Sequence, residues 1–121
     1  MKFRFSLIAA CCFPLLLLSS CASTEQVSFF TEGNCPECEA LIVASLASTE
    51  GVKTVRWDLE SSQTTVVYHP GKTDPDQIQE AVAQAGFVTQ LFPPDEAARA
   101  ALPACCRQQI DRKLRQREGH E

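Results

Sequence analysis

Hydrophobic residues recur along the middle of the chain at two spacings, one typical of strands and one typical of helices. Val55, Trp57 and Leu59 alternate with polar residues, which is the two-residue period of a half-buried strand. The apolar positions 78, 81, 82 and 85 are three and four residues apart, so they share one face of a helix. The pattern predicts four strands and two helices: strands over 26–30, 54–59, 64–68 and 87–92, and helices over 36–48 and 75–85.

The predicted order of elements is β-α-β-β-α-β. This is the arrangement of the split βαβ or ferredoxin-like fold, an α+β sandwich in which both helices pack on one face of an antiparallel sheet. We therefore predict one domain of this fold over residues 26–92. Two prolines follow it, and residues 93–121 are predicted to form a partly helical tail in which only Ile110 and Leu114 offer apolar anchors.

The start of the chain has the pattern of an export signal. Two basic residues precede an uncharged run of 13 residues at 6–18, which is shorter than the about 20 apolar residues that a transmembrane helix needs. The sequence Leu-Ser-Ser-Cys that ends at Cys21 is similar to a bacterial lipoprotein signal, in which the cysteine receives the lipid. We predict a signal peptide over 1–20, acylation of Cys21 and a lipidated tether over 21–25. The alternative is ordinary cleavage near Ala22.

A lipid anchor at Cys21 predicts where the protein resides. Lipid chains hold a protein to a membrane surface by burying CH₂ groups, without a spanning segment. The predicted location is the periplasm-facing surface of a bacterial cell-envelope membrane. Ala22, rather than an aspartate, after the lipidated cysteine favours the outer membrane.

Cysteine content and charge narrow the function classes. The chain has 7 cysteines, an odd number that disulfide pairing within one chain cannot use completely. Its 11 basic and 15 acidic residues argue against nucleic-acid binding. The charge is uneven, because residues 22–92 carry three basic and ten acidic residues, whereas residues 93–121 carry six basic and five acidic residues.

The strongest candidate for a functional site is the pair Cys35 and Cys38, which lies where the first predicted strand meets the first predicted helix. The N–H groups and positive dipole end of a helix N-terminus favour thiolate over thiol. Thiolates are soft ligands that suit Cu(I), Zn(II) and similar ions. Two sulfurs with no histidine nearby fit a two-coordinate soft ion better than a closed zinc site, which requires four ligands.

These motifs resemble those of the heavy-metal-associated domain family, which includes MerP-like mercury-binding proteins, small copper chaperones and the N-terminal domains of metal-pumping ATPases. The resemblance covers residues 26–92 and rests on four motifs: Cys35-Pro36-Glu37-Cys38, Glu50-Gly51-Val52, Val66-Val67-Tyr68-His69-Pro70 and Ala85-Gly86-Phe87. It implies that Cys35 and Cys38 are the metal ligands, and that the ion is Hg(II) or Cu(I), with Zn(II) less favoured.

The chain departs from the family pattern near the cysteine pair. The family usually has Gly-Met-x-Cys, whereas the same stretch of this chain is Glu32-Gly33-Asn34-Cys35, so the methionine that packs beneath the metal loop is missing. Phe87 stands where family members often have Tyr or Lys, and it can shield the site but donates no hydrogen bond. These departures leave the identity of the metal open.

Two other interpretations of Cys35 and Cys38 remain. Cys-Pro-x-Cys also occurs in thioredoxin-like redox proteins, although that fold usually needs more residues and a proline-bearing turn that faces the motif. The pair could also form a plain disulfide, since an oxidising compartment favours this.

The adjacent Cys105 and Cys106 lie in the tail among basic residues: Arg107, Arg112, Lys113, Arg115 and Arg117. Nearby cations favour thiolates. Our hypothesis is that Cys105 and Cys106 form a second metal-binding pair, which either receives the ion from Cys35 and Cys38 or completes a single site with them. The alternatives are a tail disulfide or pairing with another chain. The basic residues could form a solvated face, fold back on the acidic domain or contact anionic lipid headgroups.

The predicted function is capture and delivery of a soft metal ion in the periplasm by thiolate exchange. The predicted partners are a membrane, through the lipid anchor, and a metal transporter or another metal-binding protein. Such a partner would dock through a basic face, because the domain is acidic. No enzymatic activity is predicted, since the sequence has no recognisable nucleophile–base pair or phosphate-binding loop.

Overall fold

The computed structural model describes residues 23–107 and 119. The predicted signal peptide, the predicted lipid acceptor Cys21 and most of the basic tail lie outside the described residues. The elements are β1 (Glu25–Phe30), α1 (Pro36–Ala47), β2 (Val52–Asp58), β3 (Gln63–Tyr68), α2 (Pro75–Gln84) and α3 (Glu96–Ala101). None of the described helices is long and apolar enough to cross a bilayer.

The three strands form one antiparallel sheet in the order β1-β3-β2. Alternate residues of β3 are buried, namely Thr64, Val66 and Tyr68, as the two-residue period predicts. Phe29 of β1 and Trp57 of β2 both pair with Thr64, so these side chains share the face that carries the core. The sequence-based prediction of an α+β sandwich is therefore confirmed.

Two helices supply the other side of the core. Helix α1 begins with a proline, whose missing N–H costs nothing in the first turn, and it buries Cys38, Ile42 and Leu46 at intervals of four residues. Helix α2 is capped by Asp74, whose carboxylate accepts a hydrogen bond of 2.9 Å from the N–H of Gln77. Its buried residues pack in the same hydrophobic cluster as those of α1.

Residues 87–92 do not form the predicted fourth strand. Within the described residues, Thr89 makes an isolated antiparallel bridge to Thr31. Its N–H donates to the carbonyl of Phe92 at 3.1 Å, and its hydroxyl accepts from the N–H of Phe92 at 3.1 Å. This turn uses groups that a strand would present to its neighbour, and the two prolines that follow have no N–H to donate. Within residues 23–107 the sheet therefore has three strands.

The first part of the tail is packed against the domain. Pro103 separates α3 from a helical turn over 104–107. The N–H of Asp95 donates to the carbonyl of Ala83 in α2 at 2.8 Å. Leu102 and Cys106 are buried and belong to the core cluster. The apolar anchors that the sequence predicts for the tail, Ile110 and Leu114, lie outside the described residues.

Gly86 allows α3 to approach the end of α2. It has a φ of +103°, and a Cβ at this position would lie 2.7 Å from the backbone N of Arg99 and 2.8 Å from the carbonyl C of Ala98. Contacts that short are repulsive, and the backbone atoms cannot rotate away. The docking of the tail therefore depends on the absence of a side chain at this residue.

Gly86→Ala is expected to lower the free energy of unfolding by about 1–3 kcal/mol, because it combines an unfavourable φ with a backbone clash. Gly71→Ala is the matched control, since a Cβ at Gly71 meets no atom within 4 Å, and its effect should stay within about 0.5 kcal/mol. Urea unfolding of the two variants measures the difference. Equal stability of both would mean that α3 does not dock at Gly86.

Candidate metal centre

Cys35 and Cys38 lie at the start of α1, as the sequence predicts. Cys35 is the N-cap residue in an extended conformation, and its carbonyl accepts a hydrogen bond of 3.0 Å from the N–H of Cys38. Cys38 is fully buried, whereas Cys35 is half-buried. Their Sγ atoms are 3.1 Å apart. The pair thus has one sulfur anchored in the core and one that is accessible from outside.

The tail cysteines meet this pair, although they are about 70 residues away along the chain. The Sγ of Cys35 lies 2.9 Å from that of Cys105 and 3.6 Å from that of Cys106. These three sulfurs all lie within 4.8 Å of one another. The fourth sulfur, that of Cys38, is joined to Cys106 in a disulfide that spans a sequence separation of 68 residues. The two cysteine pairs therefore form one cluster of four sulfurs.

The disulfide differs from both pairings that the sequence suggested. Neither Cys35–Cys38 nor Cys105–Cys106 is bonded, and Cys35 and Cys105 are free thiols. The reason is the docking of the tail, which buries Cys106 in the core beside Cys38, with the two Cα atoms 5.9 Å apart. Sequence spacing alone carries no information on such a contact.

The protonation of Cys35 also differs from the sequence-based expectation. Burial raises the pKa of the Cys35 thiol to about 11, and the hydrogen bond with Cys105 adds to this increase. The backbone hydrogen bond from Cys38 acts in the opposite direction but is weaker. In the disulfide-bonded form the helix N-terminus therefore does not lower the pKa of Cys35 below its ordinary value. A metal ion that binds a cysteine thiol displaces its proton.

The indole of Trp57 supports the loop that carries the cysteines. Its Nε1–H donates to the carbonyl of Thr31 at 3.2 Å. A Cβ at Gly33 would lie 2.6 Å from Cζ2 of this indole and 3.2 Å from the Cβ of Cys38. Trp57 therefore lies directly beneath the loop, at Gly33, which is the position of the missing methionine. The alternating pattern of its strand predicted for Trp57 only a packing role in the sheet.

The remaining candidate residues contribute no ligand atom to the sulfur cluster. Phe87 is fully buried in the hydrophobic core. His69 is not among the residues whose ligand atoms gather at the cluster, and its backbone N–H donates to the carbonyl of Gly51 at 2.8 Å. Arg107, the first of the basic tail residues, donates from Nη1 to the carbonyl of Ala100 at 3.0 Å. This bond ties the turn that carries the tail cysteines to the end of α3.

Comparison with known proteins identifies related domains. Residues 34–87 match the family model of the heavy-metal-associated domain. The copper-transporting ATPase 1 of Rattus norvegicus is 31% identical over 74 residues, which are 61% of this chain and 5% of the ATPase. The chain thus spans about one twentieth of the length of that relative.

Solved structures share the same fold. The CopZ metallochaperone superposes with a TM-score of 0.52 at 26% identity, over 54% of this chain and 98% of its own. Oxidised MerP from Ralstonia metallidurans CH34 superposes with a TM-score of 0.53 at 26% identity, over 56% of this chain and 96% of its own. The fold of the described domain is therefore the ferredoxin-like α+β fold of these proteins.

Proposed function

We propose that the domain over residues 26–92 is a heavy-metal-associated domain that binds a soft metal ion, Cu(I) or Hg(II), through Cys35 and Cys38. The observation that carries the proposal is the pair of sulfurs 3.1 Å apart at the start of α1, within the segment that matches the domain model. Thiolates prefer soft ions over hard ones. The name of the rat relative, a copper-transporting ATPase, favours Cu(I), and the likeness to MerP keeps Hg(II) a candidate.

The unequal burial of the two sulfurs suits transfer of the ion. Cys38 is fully buried and would retain the ion, whereas Cys35 is more accessible and can be displaced first by a thiolate of a partner. Ligand exchange of this kind needs no covalent change in the protein. The partner would be a metal transporter or a metal-binding protein, and the likeness to a metallochaperone supports this role.

The location proposed for this function is the cell envelope. The lipoprotein-like sequence before Cys21 supports anchoring to a membrane on its periplasmic side, with the outer membrane favoured by Ala22. The Cys38–Cys106 disulfide is consistent with an oxidising compartment. Before a metal can bind Cys38, a thiol reductant must reduce this disulfide to two cysteine thiols. The reductant is oxidised to a disulfide in the same reaction.

A second candidate function is thiol–disulfide exchange. The free thiol of Cys35 lies 3.1 Å from the bonded sulfur of Cys38. Attack of the Cys35 thiolate on Cys38 would form a Cys35–Cys38 bond and release Cys106 as a thiolate, with no net oxidation. The raised pKa of Cys35 disfavours this attack, because the thiolate is the nucleophile.

A titration of the reduced chain distinguishes the two functions. Trp57 is the only tryptophan and lies beneath the cysteine loop, so its fluorescence should change as Cu(I) or Hg(II) binds and should saturate at one ion per chain. Zn(II) serves as the comparison ion. Disulfide-exchange activity towards a protein substrate, without retention of any of the three ions, would support the redox function and contradict metal binding.

A further inference from the structure

We infer that Cys105 and Cys106 are further ligands of the same metal site, so that the reduced protein encloses its ion in three or four sulfurs instead of two. The inference rests on the proposed function, since it assumes that Cys35 and Cys38 bind the ion. It assigns the segment over 95–107 a role as a cap, which carries the two extra thiolates on a helical turn.

The cap is part of the packed structure. Its first residue, Asp95, is hydrogen-bonded through its N–H to Ala83, and Leu102 is only 8% exposed within the core cluster. Cys106 is 1% exposed, while Cys105 is exposed and projects towards Cys35 at a sulfur–sulfur distance of 2.9 Å. The fold therefore brings both tail sulfurs to the N-terminal end of α1, next to Cys35 and Cys38.

The spacing of the sulfurs fits one shared ion. Sulfurs on a tetrahedral ion with metal–sulfur bonds of about 2.3 Å are separated by about 3.8 Å. The distances Cys35–Cys106 and Cys105–Cys106 are 3.6 and 3.9 Å. The shorter distances of Cys35 to Cys38 and Cys105, 3.1 and 2.9 Å, need to widen by less than about 1 Å. Rotation of the exposed Cys105 and the half-buried Cys35 side chains can supply such a shift, and the sulfurs of Cys38 and Cys106 move apart once their disulfide is reduced.

In the oxidised form the sulfurs of Cys38 and Cys106 are bonded to each other and do not act as thiolate ligands. A thiol reductant cleaves the Cys38–Cys106 bond in two exchange steps, which leave two protein thiols and one disulfide on the reductant. The ion then replaces the thiol protons, up to four of them. Since the sulfurs are already gathered by the fold, little further ordering of the chain opposes binding.

A closed sulfur shell changes what the site does with its ion. A two-coordinate ion leaves room for the thiolate of a partner, whereas a partner must first displace Cys105 or Cys106 from a capped ion. The cap therefore favours retention over rapid transfer. Zn(II) prefers four ligands. The capped site should therefore bind Zn(II) more tightly than the Cys35–Cys38 pair alone would.

X-ray absorption on the reduced full chain loaded with Hg(II) or Zn(II) tests the inference. The wild type should show three or four sulfurs per ion, and Cys105→Ser/Cys106→Ser should show two. The half-life of the ion against a competing dithiol chelator should fall at least about 10-fold in this double variant. Equal sulfur numbers and half-lives in both proteins would overturn the inference and leave the proposed function intact.

A second pair of variants tests the docking of the cap with all four cysteines present. Leu102→Ala removes a buried anchor of the cap, and it should shorten the half-life towards that of the double variant. Leu91→Ala is the matched control, because Leu91 is 57% exposed, and it should behave like the wild type.

A separate variant tests the proposed function itself. If Cys35 and Cys38 do not bind the ion, Cys35→Ser/Cys38→Ser will bind metal as well as the wild type does.

Discussion

Replacing Cys35 by serine is expected to weaken binding of Cu(I) by the reduced chain by a factor of about 100 or more. The Sγ of Cys35 lies 3.1 Å from that of Cys38, 2.9 Å from that of Cys105 and 3.6 Å from that of Cys106. A serine hydroxyl keeps its proton and is a hard ligand, so it does not replace the thiolate. Competition with a Cu(I) chelator of known affinity measures the change in dissociation constant.

Cys21→Ser is the control for this substitution. It makes the same chemical change at a cysteine outside the described residues, which is predicted to accept lipid and not metal. The affinity of this variant for Cu(I) should equal that of the wild type. An unchanged affinity in Cys35→Ser would contradict the assignment of Cys35 as a ligand.

Reduction of the Cys38–Cys106 disulfide is expected to lower the free energy of unfolding by up to about 4 kcal/mol in the absence of metal. The bond closes a loop with a sequence separation of 68 residues, and the loss of conformational entropy in the unfolded chain grows with loop length. A metal ion that binds the reduced native state should restore stability, because it binds the unfolded chain less tightly.

Urea unfolding of the oxidised, reduced and reduced metal-loaded chain measures these differences. Cys106→Ser should unfold like the reduced chain. Cys105→Ser is the matched control, since Cys105 is a free, exposed cysteine, and in the oxidised state it should unfold like the wild type. Equal stability of the oxidised and reduced chains would contradict the stabilising effect expected of the Cys38–Cys106 disulfide.

The elements with a clear hydrophobic period could be predicted from the sequence. The alternation around Trp57 and the helical spacing from Ile78 to Ala85 correspond to β2 and α2. The predicted strand over 87–92 was wrong because its composition favours a strand, whereas Thr89 forms a turn with Phe92. Local composition does not reveal which backbone groups a turn will use.

The position of Cys35 and Cys38 at the start of a helix was also predictable, from Pro36 and the preceding strand. Their meeting with the tail cysteines was only a hypothesis. It depends on single residues without periodic neighbours, namely Leu102 as an anchor and Gly86 as the point of close approach. The pKa of Cys35 is raised by burial and by the hydrogen bond with Cys105, whereas the sequence predicted that the helix N-terminus would lower it. Burial and the contact with Cys105 arise only in the tertiary structure, so the sequence pattern did not reveal them.

The most direct test of the central claim is the number of Cu(I) ions that the reduced chain retains after gel filtration in the presence of a competing chelator. The wild type should retain one ion per chain, and Cys35→Ser/Cys38→Ser should retain close to none. A wild-type chain that elutes without copper, or a double variant that retains as much as the wild type, would contradict the central claim.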